Sequence, residues 1–160
     1  MIVLNRIDDR LIHGQVVVGW GQPLDIDFIV LVDDQVASSE WEQELYRMGV
    51  PPGMDVYFHS AGDAGPALAR YRTDPRRGIL LTGDIATMRR LVDSAGVDAV
   101  NVGGVHFRAG RVGRLRYVFL APEEEEALRD IERQGARVTA QDVPTASPVP
   151  LAELLSGAHS

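Results

Sequence analysis

Residues 27–34, Asp-Phe-Ile-Val-Leu-Val-Asp-Asp, decide how this chain folds. Ile29-Val30-Leu31-Val32 is an apolar run of strand length, and in a strand such neighbours point to opposite sides of a sheet. Both sides must therefore be covered, which is the signature of a parallel sheet buried between helices. Ile79-Leu80-Leu81 repeats the pattern.

Working outward, strand-length apolar segments alternate with stretches of helical period along the whole chain. The reading places strands at Met1–Arg6, Asp27–Val32, Asp55–His59, Gly78–Leu81, Ala99–Val102, Tyr117–Leu120 and Arg137–Gln141. Helical patterns lie between them. In Ser38–Met48 the residues Trp41, Leu45 and Met48 share one face; in Ile85–Ser94, Met88, Leu91 and Val92 do. Gly49 and Gly96 stop these helices, and a further helix runs from Pro122 to Gln134, with Pro at its start and Gly135 after it. The expected fold is therefore α/β: a three-layer, open, mostly parallel sheet of about seven strands with helices on both faces. The 160 residues suit a single domain, 1–160, large enough to bury its own core.

Composition narrows the chemistry. There is no cysteine, which excludes disulfides, thiolate catalysis and Cys-ligated zinc. The 16 basic residues are all arginine, so a Schiff-base lysine and a P-loop lysine are excluded too. A net charge of -7 argues against a general nucleic-acid binder. The opening Met1–Leu4 run is cut by Asn5, Arg6 and Asp8, unlike a signal peptide, and no 18 apolar residues are consecutive; the simplest placement is cytoplasmic.

In open parallel sheets ligands sit beyond the carboxyl ends of the strands. That rule selects Ile7–Gly14, Asp33–Gln35, His59–Gly62, Thr82–Asp84 and Gly103–His106. The first is the richest, "RIDDRLIHGQVVVGWG" over residues 6–21. His13 and Gly14 precede a helix that begins at Gln15, and amides at a helix start bind anions. Arg6 and Arg10 can add bidentate donors to the same phosphate. A histidine there can be a phosphate ligand, a general acid or base, or a phosphoryl acceptor, with Asp8 or Asp9 orienting its ring. The plainer alternative is a surface loop of exposed ion pairs, which contribute little.

The other segments carry plainer readings. Asp33 and Asp34 can be a magnesium or aspartyl-phosphate site, though acids at such edges usually cap loops. Thr82 can touch phosphate while Asp84 caps a helix. Glu123–Glu126 are acids in a helix's first turn, where the macrodipole favours them. His59 and His159 read as bland, and His106 as a rim residue at most. The tail Val143–Pro150 reads as extended, with Leu151–Leu155 a short amphipathic segment that docks on this or another chain.

"RIDDRLIHGQV" resembles the signature of the enzyme IIB components of the mannose/fructose/sorbose family of the bacterial phosphoenolpyruvate-dependent sugar phosphotransferase system. "IVLVDDQVA", "VPPG", "VNVGGVHFRAGR" and "DVPT" resemble later segments of the same family, so the likeness spans nearly the whole chain. It implies a phosphohistidine carrier, active with an enzyme IIA phosphocarrier and the membrane IIC and IID components, and often dimeric. His13 would be phosphorylated; Arg10 and Arg6 would hold the phosphoryl oxygens; Asp9 would position the ring. Gly14, Gln15 and Thr82 would contact phosphate, while Trp20, Asp34 and Arg108 would face partners. No metal or nucleotide cofactor is expected, because a phosphohistidine donor is already activated.

The chain departs from the family at Gly19, where a lysine or arginine is common before the tryptophan, and at Leu81-Thr82-Gly83-Asp84 in place of Phe-Thr-Asn-Pro. Glycines on both sides of Trp20 should shorten or loosen the first helix. Two alternatives stay open: a regulatory or orphan IIB-like carrier uncoupled from sugar transport, and a non-enzymatic module that binds an anion or a partner.

Overall fold

The structure, a computed structural model, describes residues 1–156; His159 lies outside the described residues. Seven strands form one sheet in the order β3-β2-β4-β1-β5-β8-β9. These are β1 (Ile2–Ile7), β2 (Phe28–Val32), β3 (Asp55–His59), β4 (Gly78–Thr82), β5 (Ala99–Val102), β8 (Arg137–Ala140) and β9 (Val149–Pro150). All neighbours are parallel except β8 and β9. The helices are α1 (Asp34–Ala37), α2 (Glu40–Met48), α3 (Ala61–Thr73), α4 (Ile85–Ala95), α5 (Pro122–Arg133) and α6 (Leu151–Leu154). No helix among the described residues is long and apolar enough to cross a membrane.

The apolar run of β2 behaves as its alternation requires. Phe28, Val30 and Val32 pack into one core with Leu68, Met88, Leu91, Leu128 and Ile131. Ile29 and Leu31 enter a second core on the other face, with Ile12, Val16, Val17, Trp20, Ile79 and Leu81. All five β2 residues are fully buried, each apolar side chain contributing about 1.5–3 kcal/mol. Asp33, Ser39, Ser60 and Asp84 cap the N-termini of α1, α2, α3 and α4 with their side chains. The acids at 33 and 84 thus have the plain roles foreseen for them.

The sequence reading is corrected in several places. The segment expected as a strand at Tyr117–Leu120 is one, but not of the main sheet: β7 (Val118–Leu120) pairs antiparallel with β6 (Val112–Leu115) in a separate two-stranded ribbon. The seventh sheet position is filled by the tail, because β9 adds to β8 and Leu151 and Leu154 then seal the first core. The helix expected over Ser38–Met48 starts at Glu40, with Ser39 as its N-cap, and the separate short helix α1 precedes it. Its shared face points outward, with Trp41, Leu45 and Met48 exposed by 68%, 51% and 79%. The inner side of α2 is instead made by Gln43, bonded to the Val36 and Ala37 carbonyls, and by Tyr46 against Phe58.

The first helix is short and irregular, a π-helical segment over Gln15–Trp20 closed by the Gly21 amide on the Val16 carbonyl. Gly21 is sterically required, as a Cβ there would lie 2.1 Å from the Val17 carbonyl oxygen. Position 19 is not so constrained: a Cβ would meet only Gln15 Cγ, at 3.5 Å. Packing therefore does not dictate the glycine that stands where the family has a cation.

After β4 the chain crosses to β5 on the far side of β1, so β1 ends in a crevice between two strands reached in opposite directions. The loop that follows β1 carries His13.

Candidate functional site

Extended geometry sends Arg6 and Asp8 to the same side of the chain, two residues apart. Both are fully buried. The Arg6 guanidinium donates to Asn101 Oδ1, to the Gln141 carbonyl at 2.9 Å, to the Asp142 carbonyl at 3.2 Å and to Asp8 Oδ2 at 3.5 Å. It lies 4.7 Å from the centre of the Trp20 ring, and a Cβ at Gly103 would fall 2.3 Å from its Nη2. Burial works against its charge and lowers its pKa, and Asp8 and Asp142 offset only part of that. Arg6 is thus a buried brace joining β1 to β5 and to the segment after β8. The expectation that it grips a phosphoryl group is corrected: Nη1 and Nη2 are spent on protein acceptors, and the buried Nε, which has no partner, has no more route to solvent than they do.

Asp8 continues the brace. Its carboxylate accepts from the amides of Arg10 and Gly104, at 3.2 and 3.4 Å, and faces the Arg10 Nε at 3.7 Å and His13 Nε2 at 3.9 Å. His13 Nδ1 lies 2.9 Å from the Leu11 carbonyl, which only accepts, so Nδ1 carries the proton. Leu11 makes this contact in a left-handed conformation, φ 60°, with its side chain laid over Gly83. His13 is 18% exposed, and its Nε2 is covered. The ring is therefore docked between a carbonyl and a carboxylate, and it is Asp8 rather than Asp9 that addresses it.

Asp9 turns the other way. It accepts from the His106 amide at 2.7 Å and from His106 Nδ1 at 2.5 Å. The assignment of Asp9 to the His13 ring is corrected accordingly. The Arg10 side chain is 46% exposed beside Asp8, and its Nη2 donates to Gln15 Oε1 at 2.6 Å. Gln15 is a strut rather than a free phosphate ligand, because its Nε2 also donates to the carbonyl and carboxylate of Asp142, at 3.0 and 2.9 Å. Gly14 is exposed with open space about it. The amides of Val16 and Val17 both return to the His13 carbonyl, which leaves less of the helix start for an anion than the sequence suggested.

Three further expectations change. Thr82 is fully buried and its hydroxyl donates to the Asp84 carbonyl, away from any surface. Trp20 does not face a partner: it is 4% exposed, under Arg6, with its indole N–H on the Asp142 carbonyl at 3.2 Å. Asp34 is exposed, but one oxygen accepts from the Ala61 amide at 2.8 Å, so it also ties α3 to α1. Arg108 is exposed on the loop after His106. His59 meets the Tyr71 hydroxyl at 2.6 Å, far from this loop in sequence and bland, as foreseen.

Asp142 belongs to the candidate site and was missed in the motifs. Its carbonyl receives Arg6, Gln15 and Trp20 together. The signal was "DVPT", noted only as a tail.

Compared with known proteins, residues 2–160 match the family model described as the sorbose subfamily IIB component of the phosphotransferase system. The chain belongs to that IIB family. It is 34% identical over 149 residues to the N-acetylgalactosamine-specific phosphotransferase enzyme IIB component 1 of Escherichia coli, covering 89% of this chain and 91% of that one. It is 29% identical to the mannose-specific EIIAB component of the same organism, covering 98% of this chain and 49% of that protein. Among solved structures, the IIBSor domain of the sorbose permease from Klebsiella pneumoniae superposes with a TM-score of 0.88 at 26% identity, covering 99% of this chain and 98% of that one. IIB components are phosphotransferases of sugar uptake. The loop after β1 has an arrangement that suits such work: an imidazole beyond the carboxyl end of a central strand, an exposed arginine beside it and a buried Arg–Asp brace beneath.

Proposed function

We propose that the chain, acting as one IIB unit, carries a phosphoryl group on His13. It accepts the group from a phosphohistidine of a IIA component and passes it to a sugar held by membrane IIC and IID components. In the first step the donor N–P bond breaks as a His13 N–P bond forms, and in the second a sugar oxygen displaces His13. The observation that carries this reading is His13 itself, docked by Asp8 and Leu11 on the edge loop with Arg10 exposed alongside. The match of half of a mannose-specific EIIAB protein to this chain supports a IIA donor.

With one ring nitrogen on the Leu11 carbonyl and the other covered, the ring must leave its dock to react. Arg10 then meets the loosely bonded, metaphosphate-like group in flight, and its fixed positive charge stabilises that group. Asp8, held back by Arg6, is kept from following the ring outward. Incubation with phosphoenolpyruvate and the general and IIA phosphocarriers should give an acid-labile, base-stable label on the wild-type chain and none on His13→Ala. Label that survives His13→Ala refutes the assignment.

A further inference from the structure

The two adjacent aspartates of the motif serve two different histidines. Asp8 faces His13, whereas Asp9 fixes His106, a residue of the loop after β5. The second pair is more than a surface ion pair. Asp9 binds His106 twice, through the backbone amide and Nδ1, and the Asp9 amide donates to the Gly104 carbonyl at 2.9 Å. On its other side the His106 carbonyl accepts from Arg111 Nη1 at 2.7 Å. Arg111 is itself 9% exposed and held by both oxygens of Glu124, each at 2.8 Å. An imidazole that is 55% exposed is thus held at its backbone and at one ring nitrogen. Fixing an exposed ring costs side-chain entropy, which is recovered where the ring has a task.

The ring also borders the phosphoryl site. A Cβ built at Gly104 would lie 3.2 Å from Asp8 Oδ1 and 3.4 Å from His106 Cε1. The carboxylate that faces His13 and the His106 ring therefore both close on Gly104. Nδ1 is committed to a carboxylate, which only accepts, so Nδ1 carries a proton and Nε2 is the atom whose state is variable. As a bare lone pair Nε2 repels a phosphoryl oxygen; as N–H in the imidazolium it donates to one with charge assistance.

We propose that His106, oriented by Asp9, is a second catalytic histidine of phosphoryl transfer, donating from Nε2 to an oxygen of the group carried by His13. His106 is not itself phosphorylated. The donor N–P bond breaks, the His13 N–P bond forms, and the proton on His106 Nε2 stays in a hydrogen bond throughout. The arriving phosphoryl oxygens supply the acceptor for that N–H, so the contact forms when the group is present. The charged groups around the ring are Asp9, Asp8 behind Gly104, and Arg111 with its partner Glu124. Asp9 adds to the pull of the phosphoryl group, and Arg111 is neutralised by Glu124.

The inference rests on the carrier reading of His13, and one experiment separates the two. The full chain with 15N-labelled histidine is observed by NMR near neutral pH before and after phosphorylation through the general and IIA phosphocarriers. Rates of phosphoryl gain are measured for the wild type, His106→Phe and His106→Gln. The expected result is a His106 Nε2 resonance that moves toward the imidazolium position when His13 is phosphorylated. His106→Phe slows transfer tenfold or more, and His106→Gln, which restores an N–H donor, recovers part of the loss. A His106 resonance indifferent to phosphorylation of His13 overturns the inference alone, as does a His106→Phe rate equal to that of the wild type. A wild-type chain that takes no label on His13 refutes the carrier reading and this inference with it.

Discussion

Replacing Arg6 by Met keeps the length of the side chain and removes its charge from a place with no access to solvent. Breaking a buried ion pair by deleting one partner costs about 3–5 kcal/mol, because the other charge is left uncompensated. The lower end applies here. Asp8 keeps the Arg10 and Gly104 amides and the Arg10 side chain, and the Asp142 carbonyl keeps Gln15 and Trp20. Only the Gln141 carbonyl and Asn101 Oδ1 lose the donor supplied by Arg6. Arg6→Met is expected to lower stability by about 3 kcal/mol, a large share of the roughly 5–15 kcal/mol typical of a domain. Asp8→Asn should cost less, about 1–2 kcal/mol, because Arg6 retains three other acceptors. In the double variant the neutral Asn no longer suffers from the missing cation, so its loss should fall short of the sum by about 1–2 kcal/mol. Equilibrium urea unfolding of the four proteins measures all of this, with the Arg6→Met midpoint moving down by about 1–2 M. An Arg6→Met loss under about 1 kcal/mol, or strict additivity in the cycle, refutes the brace.

Three further outcomes are expected. Trp41 is exposed and Trp20 buried, so acrylamide should quench only part of the fluorescence, and Trp41→Phe should leave a blue-shifted, protected emission; uniform quenching contradicts the placement. Burial, and then Arg70, push the His59 pKa down. Its neutral form is therefore favoured by folding, and the stability it contributes is present above about pH 6.5 and lost as pH falls from there toward the lowered value. Melting temperatures followed against pH should show that decline in the wild type and a flatter profile in His59→Gln. Finally, a Cβ at Gly78 would lie 2.2 Å from Phe28 Cε2, so Gly78→Ala should destabilise by about 1–3 kcal/mol; calorimetry showing no change would place Phe28 elsewhere.

Much of the site was written in the local sequence, and part of it was read incorrectly. The period of two places Arg6 and Asp8 on one side, yet charge alone suggested that both arginines should face an anion. What lies on that side is Asn101, Gln141 and Asp142, contributed by segments some 95 to 136 residues away in the chain. No local pattern announces such neighbours. The same holds for Asp9, whose partner His106 arrives 97 residues later.

The sequence by itself determined the doubly covered parallel sheet, because side-chain alternation and helix period are properties of the covalent chain. It also determined the loop that holds His13, because a strand end followed by a helix start is a local event. Only the tertiary structure decided which of two adjacent aspartates addresses His13. That choice depends on β1 lying between β4 and β5, which brings Gly104 and His106 against the loop and sends Asp8 and Asp9 to different partners. It also decided that Trp20 lies inside and Trp41 outside. Both are tryptophans in helical stretches, and their burial is set by which segments, distant in the chain, close over each face.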